Sequence, residues 1–219
     1  MRKRYRTVAG EGTGIYEEKK SRFLAEIHPV TDERCAEEIL GAVRKREYGA
    51  NHHCYAYVIG KNGEAQKCSD DGEPQKTAGM PMLNVLLKEQ VKDVLVVVSR
   101  YFGGTLLGTG GLVRAYESAA KEALRDAKIE ERVPALVLKI ETDYSAYQVV
   151  TRYFFDRAVL LEKTDFGDAV ASYAVVPEEE VSSFSEKITD LTQGRGKIES
   201  VRETWIALGD SGKRMVETE

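Results

Sequence analysis

A glycine-rich run between two arginines is the segment of this sequence best suited to holding an anion. Five glycines lie between Arg100 and Arg114, directly after an aliphatic stretch at residues 94–98. Glycine permits left-handed backbone angles and close approach of a ligand, and free N–H groups at a helix start attract anions. We name residues 103–111 the glycine turn. Its predicted anion-binding or nucleic-acid-binding residues are Arg100, Tyr101, Phe102, Gly103, Gly104, Gly108, Gly110, Gly111 and Arg114.

The glycine turn matches neither of two common phosphate-binding patterns. The pattern GxxxxGK[ST] is absent, and so is a βαβ dinucleotide fingerprint with its downstream acid. The alternative interpretation is therefore a tight strand-to-helix connection whose glycines serve only packing.

Three carboxylates within four residues form a second candidate segment. Residues 70–74, which we name the acidic loop, read Asp70-Asp71-Gly72-Glu73-Pro74. Such carboxylates are suited to Mg²⁺ or to acid–base catalysis, but Asp-Gly-Glu-Pro is also ordinary turn chemistry, in which aspartate accepts from backbone N–H groups. We favour the turn and predict no metal. Arg100 and Arg114 are alternatively expected to pair with these carboxylates.

A third segment, Asn51-His52-His53-Cys54, combines imidazoles with a thiol. It suggests either a metal site or an activated cysteine. A zinc site needs a second ligand pair at close spacing, and Cys68 is the only other thiol nearby. We therefore predict a hydrogen-bonded His52 on a structural or binding surface, without metal or cofactor.

The elements that must position these segments follow from hydrophobic periodicity in residues 1–134. The alternation predicts strands near residues 6–9, 14–19, 22–28, 54–59 and 93–99. The 3.6-residue period predicts helices near residues 32–47, 77–88 and 111–127. The strand at 93–99 is apolar on both faces, so it belongs in the middle of a sheet. The glycine turn leaves its C-terminal end.

Residues 135–208 follow a more regular pattern. Strand-like residues 136–142 precede a helix capped by Asp143, and two strands at 159–166 and 169–176 flank a turn at Gly167. A second helix follows Pro177, and a last strand spans 197–208. The order βαββαβ predicts a ferredoxin-like sandwich. We expect domains at 1–134 and 135–208, with a flexible tail at 209–219.

Composition and charge exclude several classes of protein. The chain has 219 residues with 42% hydrophobic and 31% charged residues, which supports a folded core. Its formal net charge of −4 argues against coating nucleic acid through bulk positive charge. Residues 1–134 carry 22 Lys and Arg against 20 Asp and Glu, whereas residues 135–219 carry 10 against 16. No apolar run suggests a signal peptide or membrane span, so we expect a cytoplasmic protein.

The three segments, in this order, resemble the YigZ/IMPACT family. The resemblance covers residues near 15–130. The residues that carry it are Lys20-Ser-Arg22-Phe23, Ala50-x-His52, Ser69-Asp70-Asp71-Gly72-Glu73-Pro74, Thr77-Ala78-Gly79-x-Pro81, the stretch 96–111 and Arg114-Ala-Tyr116. Lys20, Arg22, His52 and the acidic loop thereby become a predicted motif surface. The C-terminal half resembles the second domain of bacterial members by pattern and position.

The resemblance implies the folds of the two domains and a function connected with translation. It implies an N-terminal domain like the second domain of ribosomal protein S5 and a C-terminal domain similar to domain V of elongation factor G. Eukaryotic relatives regulate translation by competing for the activator of a starvation-sensing kinase, and they do so with an additional RWD domain. These 219 residues show no RWD pattern, so that role is not expected here. A fold shared with ribosomal and elongation-factor domains is an analogy and does not by itself establish RNA binding.

Three functions follow as expectations. The first is a non-enzymatic, translation-linked protein that contacts RNA or a ribosome-associated protein through the N-terminal domain, aided by the basic residues 2–6 and 19–22. The second is an enzyme that binds a nucleotide or other small molecule with the glycine turn and acidic loop. The third is a protein-interaction module without nucleic-acid binding. The fold class expected for all three is α+β.

Overall fold

The computed structural model describes residues 2–209 and 212–216, which belong to two compact units. The N-terminal unit is Tyr5–Glu130, and the C-terminal unit combines the first residues through Arg4 with those from Glu131 onward. The boundary therefore lies upstream of the expected one after Pro134. The reason is that a single strand, Ile129–Thr142, runs through Pro134, and from Glu131 onward it pairs with Lys197–Gly209.

One antiparallel sheet organises the N-terminal unit. Its elements in chain order are β1 (Tyr5–Val8), β2 (Gly12–Glu18), β3 (Ser21–Pro29), α1 (Glu33–Arg46), β4 (His52–Ile59), β5 (Ala65–Ser69), α2 (Gly79–Lys88), β6 (Val94–Tyr101) and α3 (Gly108–Ala127). The strand order is β2-β3-β6-β4-β5. All of these elements except β5 are predicted by periodicity. Strand β5 has no buried residue, so it carries no apolar alternation.

Helices cover both faces of this sheet. Strand β6 is central and almost fully buried, as its aliphatic sequence predicts. Val96 and Val98 pack in one core cluster with residues of α2 and α3, whereas Leu95 and Val97 pack in another with residues of α1. Because β6 is fixed on both faces, its last residues and the turn that follows are held in a defined place.

The C-terminal unit is the ferredoxin-like sandwich that the pattern predicts. Its elements are β7 (Ile129–Thr142), α4 (Tyr144–Asp156), β8 (Leu160–Phe166), β9 (Val170–Pro177), a 3-10 turn (Glu178–Glu180), α5 (Val181–Leu191), β10 (Lys197–Gly209) and β11 (Gly212–Val216). The path β11-β10-β7-β9-β8 places the first and third strands of the βαββαβ unit in the middle. The α+β class is confirmed.

Local signals determine the helices of this unit. The Asp143 carboxylate accepts a hydrogen bond of 2.7 Å from the Ala146 N–H and caps α4, as predicted. Phe154 of α4 and Phe184 and Ile188 of α5 share one core cluster with sheet residues such as Ile140. Within the described residues, no helix is long and apolar enough to cross a membrane.

The structure describes only part of the tail at 209–219 that was expected to be flexible. Residues 210, 211 and 217–219 lie outside the described residues. Gly212–Val216, in contrast, forms β11 and pairs with β10 in an antiparallel ladder. The prediction missed this strand because the polar composition of the segment hides a pairing made through backbone groups.

Candidate functional site

A cavity of about 490 Å³ in the N-terminal unit brings together the three segments singled out in the sequence. Its walls come from the start of β4, the acidic loop, the end of β6 and the first turn of α3. His52, Glu73, Arg100 and Phe102 all line it. Residues that are far apart in the chain thus form one site.

A buried ion pair lies in the wall of this cavity. The Arg100 Nη1 lies 2.6 Å from the Glu73 Oε1, and the two side chains are only 6% and 3% exposed. The Tyr116 hydroxyl donates to the same Oε1 at 2.7 Å. The guanidinium also lies near the rings of Phe23 and Phe102, at 5.4 and 5.5 Å from their centroids. The buried carboxylate is thus stabilised by two donors, Arg100 and Tyr116, and the guanidinium is stabilised by the carboxylate and the two rings.

Asp70 shapes the chain between β5 and α2. One carboxylate oxygen accepts from the N–H groups of Ala78 and Gly79 at 3.0 and 2.8 Å, and the other accepts from Lys76 at 2.8 Å. Helix α2 has no side-chain hydrogen bond from its own N-cap residue, Ala78. Asp70 therefore caps α2 from a distance and satisfies three backbone donors.

Asp71 has a different set of partners. Its Oδ2 accepts from the His53 N–H at 2.7 Å, and its Oδ1 accepts from Arg44 at 3.1 Å. Its φ of 42° and that of Gly72, 87°, form the tight bend of the loop. The three acidic side chains therefore face separate partners. No three metal-ligating side chains converge anywhere in residues 2–209 and 212–216.

The histidines and the neighbouring thiol are engaged in structural contacts. The His52 Nδ1 lies 2.8 Å from the Asp71 carbonyl oxygen, and the His53 Nε2 lies 3.0 Å from that of Glu47. The Cys54 thiol is buried and donates to the Asp70 carbonyl. Burial raises the pKa of Cys54 to about 12, so the thiol stays protonated and is a poor nucleophile.

The glycine turn packs closely against the hairpin between β2 and β3. A Cβ on Gly103 would lie 2.1 Å from the backbone carbon of Lys20, so only glycine fits there. The Gly103 N–H donates to the Ser21 hydroxyl at 3.1 Å. Asn51 anchors the other side of the turn, because its side-chain oxygen accepts from the Phe102 N–H at 2.8 Å. The motif residues Lys20 and Ser21 therefore lie beside the glycine turn.

The start of α3 is open to solvent and lacks a side-chain cap. The helix begins at Gly108, three residues before the expected start at Gly111, and Leu107 at its N-cap makes no side-chain hydrogen bond. No acidic residue lies in the first turn. Gly108, Thr109 and Gly110 are exposed. The first N–H groups of a helix have no partner within it, so this end presents free donors.

The two arginines that flank the glycine turn differ in environment. Arg100 is buried and paired with Glu73, as the structural alternative expected. Arg114 is exposed and forms no ion pair with any residue in the described part of the chain. Tyr101, also predicted at the site, lies outside the cavity wall and donates its hydroxyl to Glu47 at 2.8 Å.

Several residues of the basic N-terminus form ion pairs with glutamates. Arg2 and Arg4 belong to the C-terminal unit. Arg2 pairs with Glu178 at 2.6 Å, and Arg4 pairs with Glu179. In the hairpin, Arg22 pairs with Glu17 at 3.1 Å, while Lys20 is exposed. Arg2 and Arg4 are thus paired with glutamates distant in sequence, and Arg22 with one nearby, so part of the predicted basic charge is locally neutralised.

Several cavity residues escaped the sequence analysis. Leu106 and Leu107 lie within the glycine turn, and Leu112 follows in α3. In the sequence pattern the first two counted only as the residues that separate the glycines. Leu106 is 80% exposed and Phe102 is 46% exposed. Large apolar side chains in a glycine-rich surface turn are themselves a signal for a binding surface.

Comparisons with known proteins agree with this architecture. The family described as the Impact N-terminal domain matches residues 19–124, and a domain of unknown function, DUF1949, matches residues 140–195. The IMPACT family member YvyE of Bacillus subtilis is 38% identical over 92% of this chain and 93% of its own. YigZ of Escherichia coli is 33% identical over 87% of this chain and 95% of its own.

A solved structure also matches over nearly the whole chain. A crystal structure described as that of a hypothetical protein superposes with a TM-score of 0.59 at 30% identity, covering 92% of this chain and 99% of the other. The chain belongs to the IMPACT family.

Proposed function

We propose that this chain is a non-enzymatic, translation-linked binding protein that contacts RNA, free or in a ribonucleoprotein, through its N-terminal unit in the cytoplasm. Membership of the IMPACT family supports the link to translation at the level of the family. The observation that carries the RNA contact is the cavity, where an uncapped helix start and exposed Phe102 and Leu106 lie side by side.

This combination suits a single-stranded nucleic acid. Helix N-termini and arginine or lysine side chains bind phosphate groups, and aromatic side chains stack on bases without regard to sequence. Exposed Lys20 and Arg114 supply positive charge near the glycine turn. The contact is local, which is compatible with a net charge of −4 for the whole chain.

The contacts of the acidic loop favour binding over catalysis. Asp70 and Asp71 accept from backbone N–H groups, and Glu73 accepts from Arg100 and Tyr116. A general base or a magnesium ligand needs a carboxylate oxygen directed at the substrate or the ion. The raised pKa of Cys54 likewise makes thiolate catalysis unfavourable.

A matched pair of exposed phenylalanines tests the proposal. We expect Phe102→Ala to weaken binding of a fluorescein-labelled single-stranded RNA by roughly tenfold, because one stacking contact contributes about 1–3 kcal/mol. Phe155, which is 85% exposed in the C-terminal unit, provides the control Phe155→Ala. Fluorescence anisotropy measures both. Equal affinities for the two variants and the unaltered chain would contradict a contact at the glycine turn.

The enzyme alternative has its own measurement. Turnover of a nucleotide, unlike its binding, distinguishes an enzyme from a binding protein. We expect the full chain to release no phosphate from MgATP. Phosphate release that disappears in Thr109→Glu would replace the RNA contact with a nucleotide-dependent activity at the same cavity.

A further inference from the structure

The position of Arg100 indicates what kind of ligand the cavity accepts. Only 6% of its side chain is exposed, and its Nε has no hydrogen-bond partner within the described residues. Glu73 accepts a hydrogen bond from Nη1, which holds the guanidinium in place. The remaining N–H donors of the guanidinium are not used by this contact. A buried guanidinium with unused donors favours a planar or tetrahedral oxyanion.

A second, independent set of donors lies in the same wall. The first turn of α3 has neither a side-chain cap nor an acidic residue. Nothing lies within 4 Å of a Cβ built on Gly108, so the backbone there is open to a ligand. The partial positive charge of the helix start adds to that of Arg100. Both features border the one cavity.

The depth of Arg100 distinguishes between two kinds of phosphate. A phosphodiester inside an RNA strand carries one charge and has a sugar on either side, so it contacts exposed groups at a surface. A terminal phosphate monoester is attached through one oxygen, carries up to two charges and presents three free oxygens. Of the two, the monoester has the free oxygens and the slimmer shape to extend towards a guanidinium in the cavity wall.

The size and walls of the cavity suit one nucleotide. Its volume of about 490 Å³ lies within the usual range for small-ligand sites. Phe102, Leu107 and Leu112 provide apolar surface for a base or sugar. Glu73 opposes an anion electrostatically, but its Oε1 already accepts from two donors.

We propose that this cavity binds the terminal phosphate monoester of a nucleotide, and that in RNA it receives the phosphorylated end of a single strand. The RNA part of this inference rests on the proposed function, whereas the phosphate site itself does not. A free mononucleotide offers the same chemistry as an RNA end.

Paired probes test the terminal phosphate directly. Isothermal titration of the full chain compares a hexauridylate with a 5′-phosphate, one with a 3′-phosphate and one with hydroxyl groups at both ends. The same titration compares AMP with adenosine. We expect at least about tenfold tighter binding for one phosphorylated end than for the hydroxyl probe, as expected for an added charge-assisted contact. Tighter binding of AMP than of adenosine identifies the same site with the free nucleotide.

Thr109→Glu provides the test of location. Thr109 is exposed in the first turn of α3 and lines the cavity. A glutamate there suits the helix dipole, so the fold is retained, but it repels a second anion. We expect the preference for the phosphorylated end to disappear. Lys121→Gln changes the net charge equally on an exposed part of the same helix and should keep the preference.

The outcomes separate this inference from the proposed function. Equal affinity for phosphorylated and hydroxyl RNA would overturn the terminal-phosphate site while the RNA contact stands. Discrimination that survives Thr109→Glu would also overturn it. Preference for AMP over adenosine without any RNA binding would support the phosphate site and overturn the RNA role. Absence of binding by every probe would overturn both.

Discussion

The acidic loop and the glycine turn border the same cavity, but their polar groups are satisfied to very different degrees. Asp70 alone accepts from three backbone N–H groups, and Glu73 has two donors on one oxygen. At the glycine turn, in contrast, the first turn of α3 has no side-chain cap, and Arg114 has no ion pair within the described residues.

This difference in hydrogen bonding indicates which polar groups stabilise the fold and which remain open to a ligand. Buried carboxylates require partners, because an unpaired charge in the interior costs several kcal/mol. The acidic loop meets this requirement internally and so has little left for a ligand. Free donors at the surface cost little while water solvates them, and they remain available to an anion. Two segments that look equally promising in sequence thus differ in how many of their polar groups remain free to contact a ligand.

The largest expected effect comes from Arg100, which connects the two segments. Arg100→Ala leaves the Glu73 carboxylate buried without its cation. We expect the free energy of unfolding to fall by about 3–5 kcal/mol, the usual cost of breaking a buried pair. Urea unfolding followed by circular dichroism measures it.

Arg114→Ala is the matched control, because it removes the other flanking arginine. Arg114 is exposed, so its removal should change the free energy of unfolding by less than about 0.5 kcal/mol. If Arg100→Ala does not fold, the double variant Arg100→Ala/Glu73→Gln should recover stability, since a neutral amide needs no cation. An Arg100→Ala loss below about 1 kcal/mol would show that the pair is not structural.

The next effect concerns the cap that Asp70 provides to α2. Asp70→Ala removes the acceptor of three backbone N–H groups. Because each hydrogen bond contributes about 1 kcal/mol net, we expect a loss of about 2–3 kcal/mol and faster amide exchange at Ala78 and Gly79. Asp70→Asn keeps one acceptor oxygen and should fall in between. Unchanged exchange at these amides would contradict the cap.

Asp71 should show a smaller effect than Asp70. Asp71→Asn keeps an acceptor for the His53 N–H but loses the charge opposite Arg44. Since both side chains are partly exposed, the loss should be below about 1 kcal/mol.

The same variant tests the metal interpretation of the acidic loop. We expect elemental analysis of the purified chain to find no stoichiometric Mg²⁺ or Zn²⁺, and EDTA to leave the thermal midpoint unchanged. A metal-dependent midpoint that Asp71→Asn abolishes would assign the acidic loop to metal binding after all.

Most of the fold was predictable from sequence because its signals are local. The buried residues Ala36, Leu40 and Val43 of α1 follow a helical period, and Asp143 is a cap that its position alone reveals. Strand β6 is identified by its aliphatic run. Strands β5 and β11 carry no such signal, since backbone pairing positions them.

The sequence predicted most of the residues that form the candidate site, but it did not determine the role of each one. The interpretation of Arg100 depends on Glu73 and Tyr116, which the chain alone does not place beside it. Arg2 and Arg4 appeared as free basic residues because a linear charge count does not show the glutamates that face them. Spacing along the chain records helix and strand periods, whereas partners across a fold depend on packing.

The smallest expected effect tests whether Arg114, which lies beside the glycine turn, contacts phosphate. Each protein contact to RNA phosphate releases bound counterions, so losing one flattens the slope of log affinity against log salt by about one unit or slightly less. We expect Arg114→Ala to do this while weakening RNA binding only a few-fold near physiological salt. Arg125→Ala removes the same charge from an exposed position near the other end of α3. If both variants flatten the slope equally, the contact is with the general charge of the helix and not with the glycine turn. If neither variant changes the slope, Arg114 does not contact phosphate, and the proposed binding role of the glycine turn is contradicted at this residue.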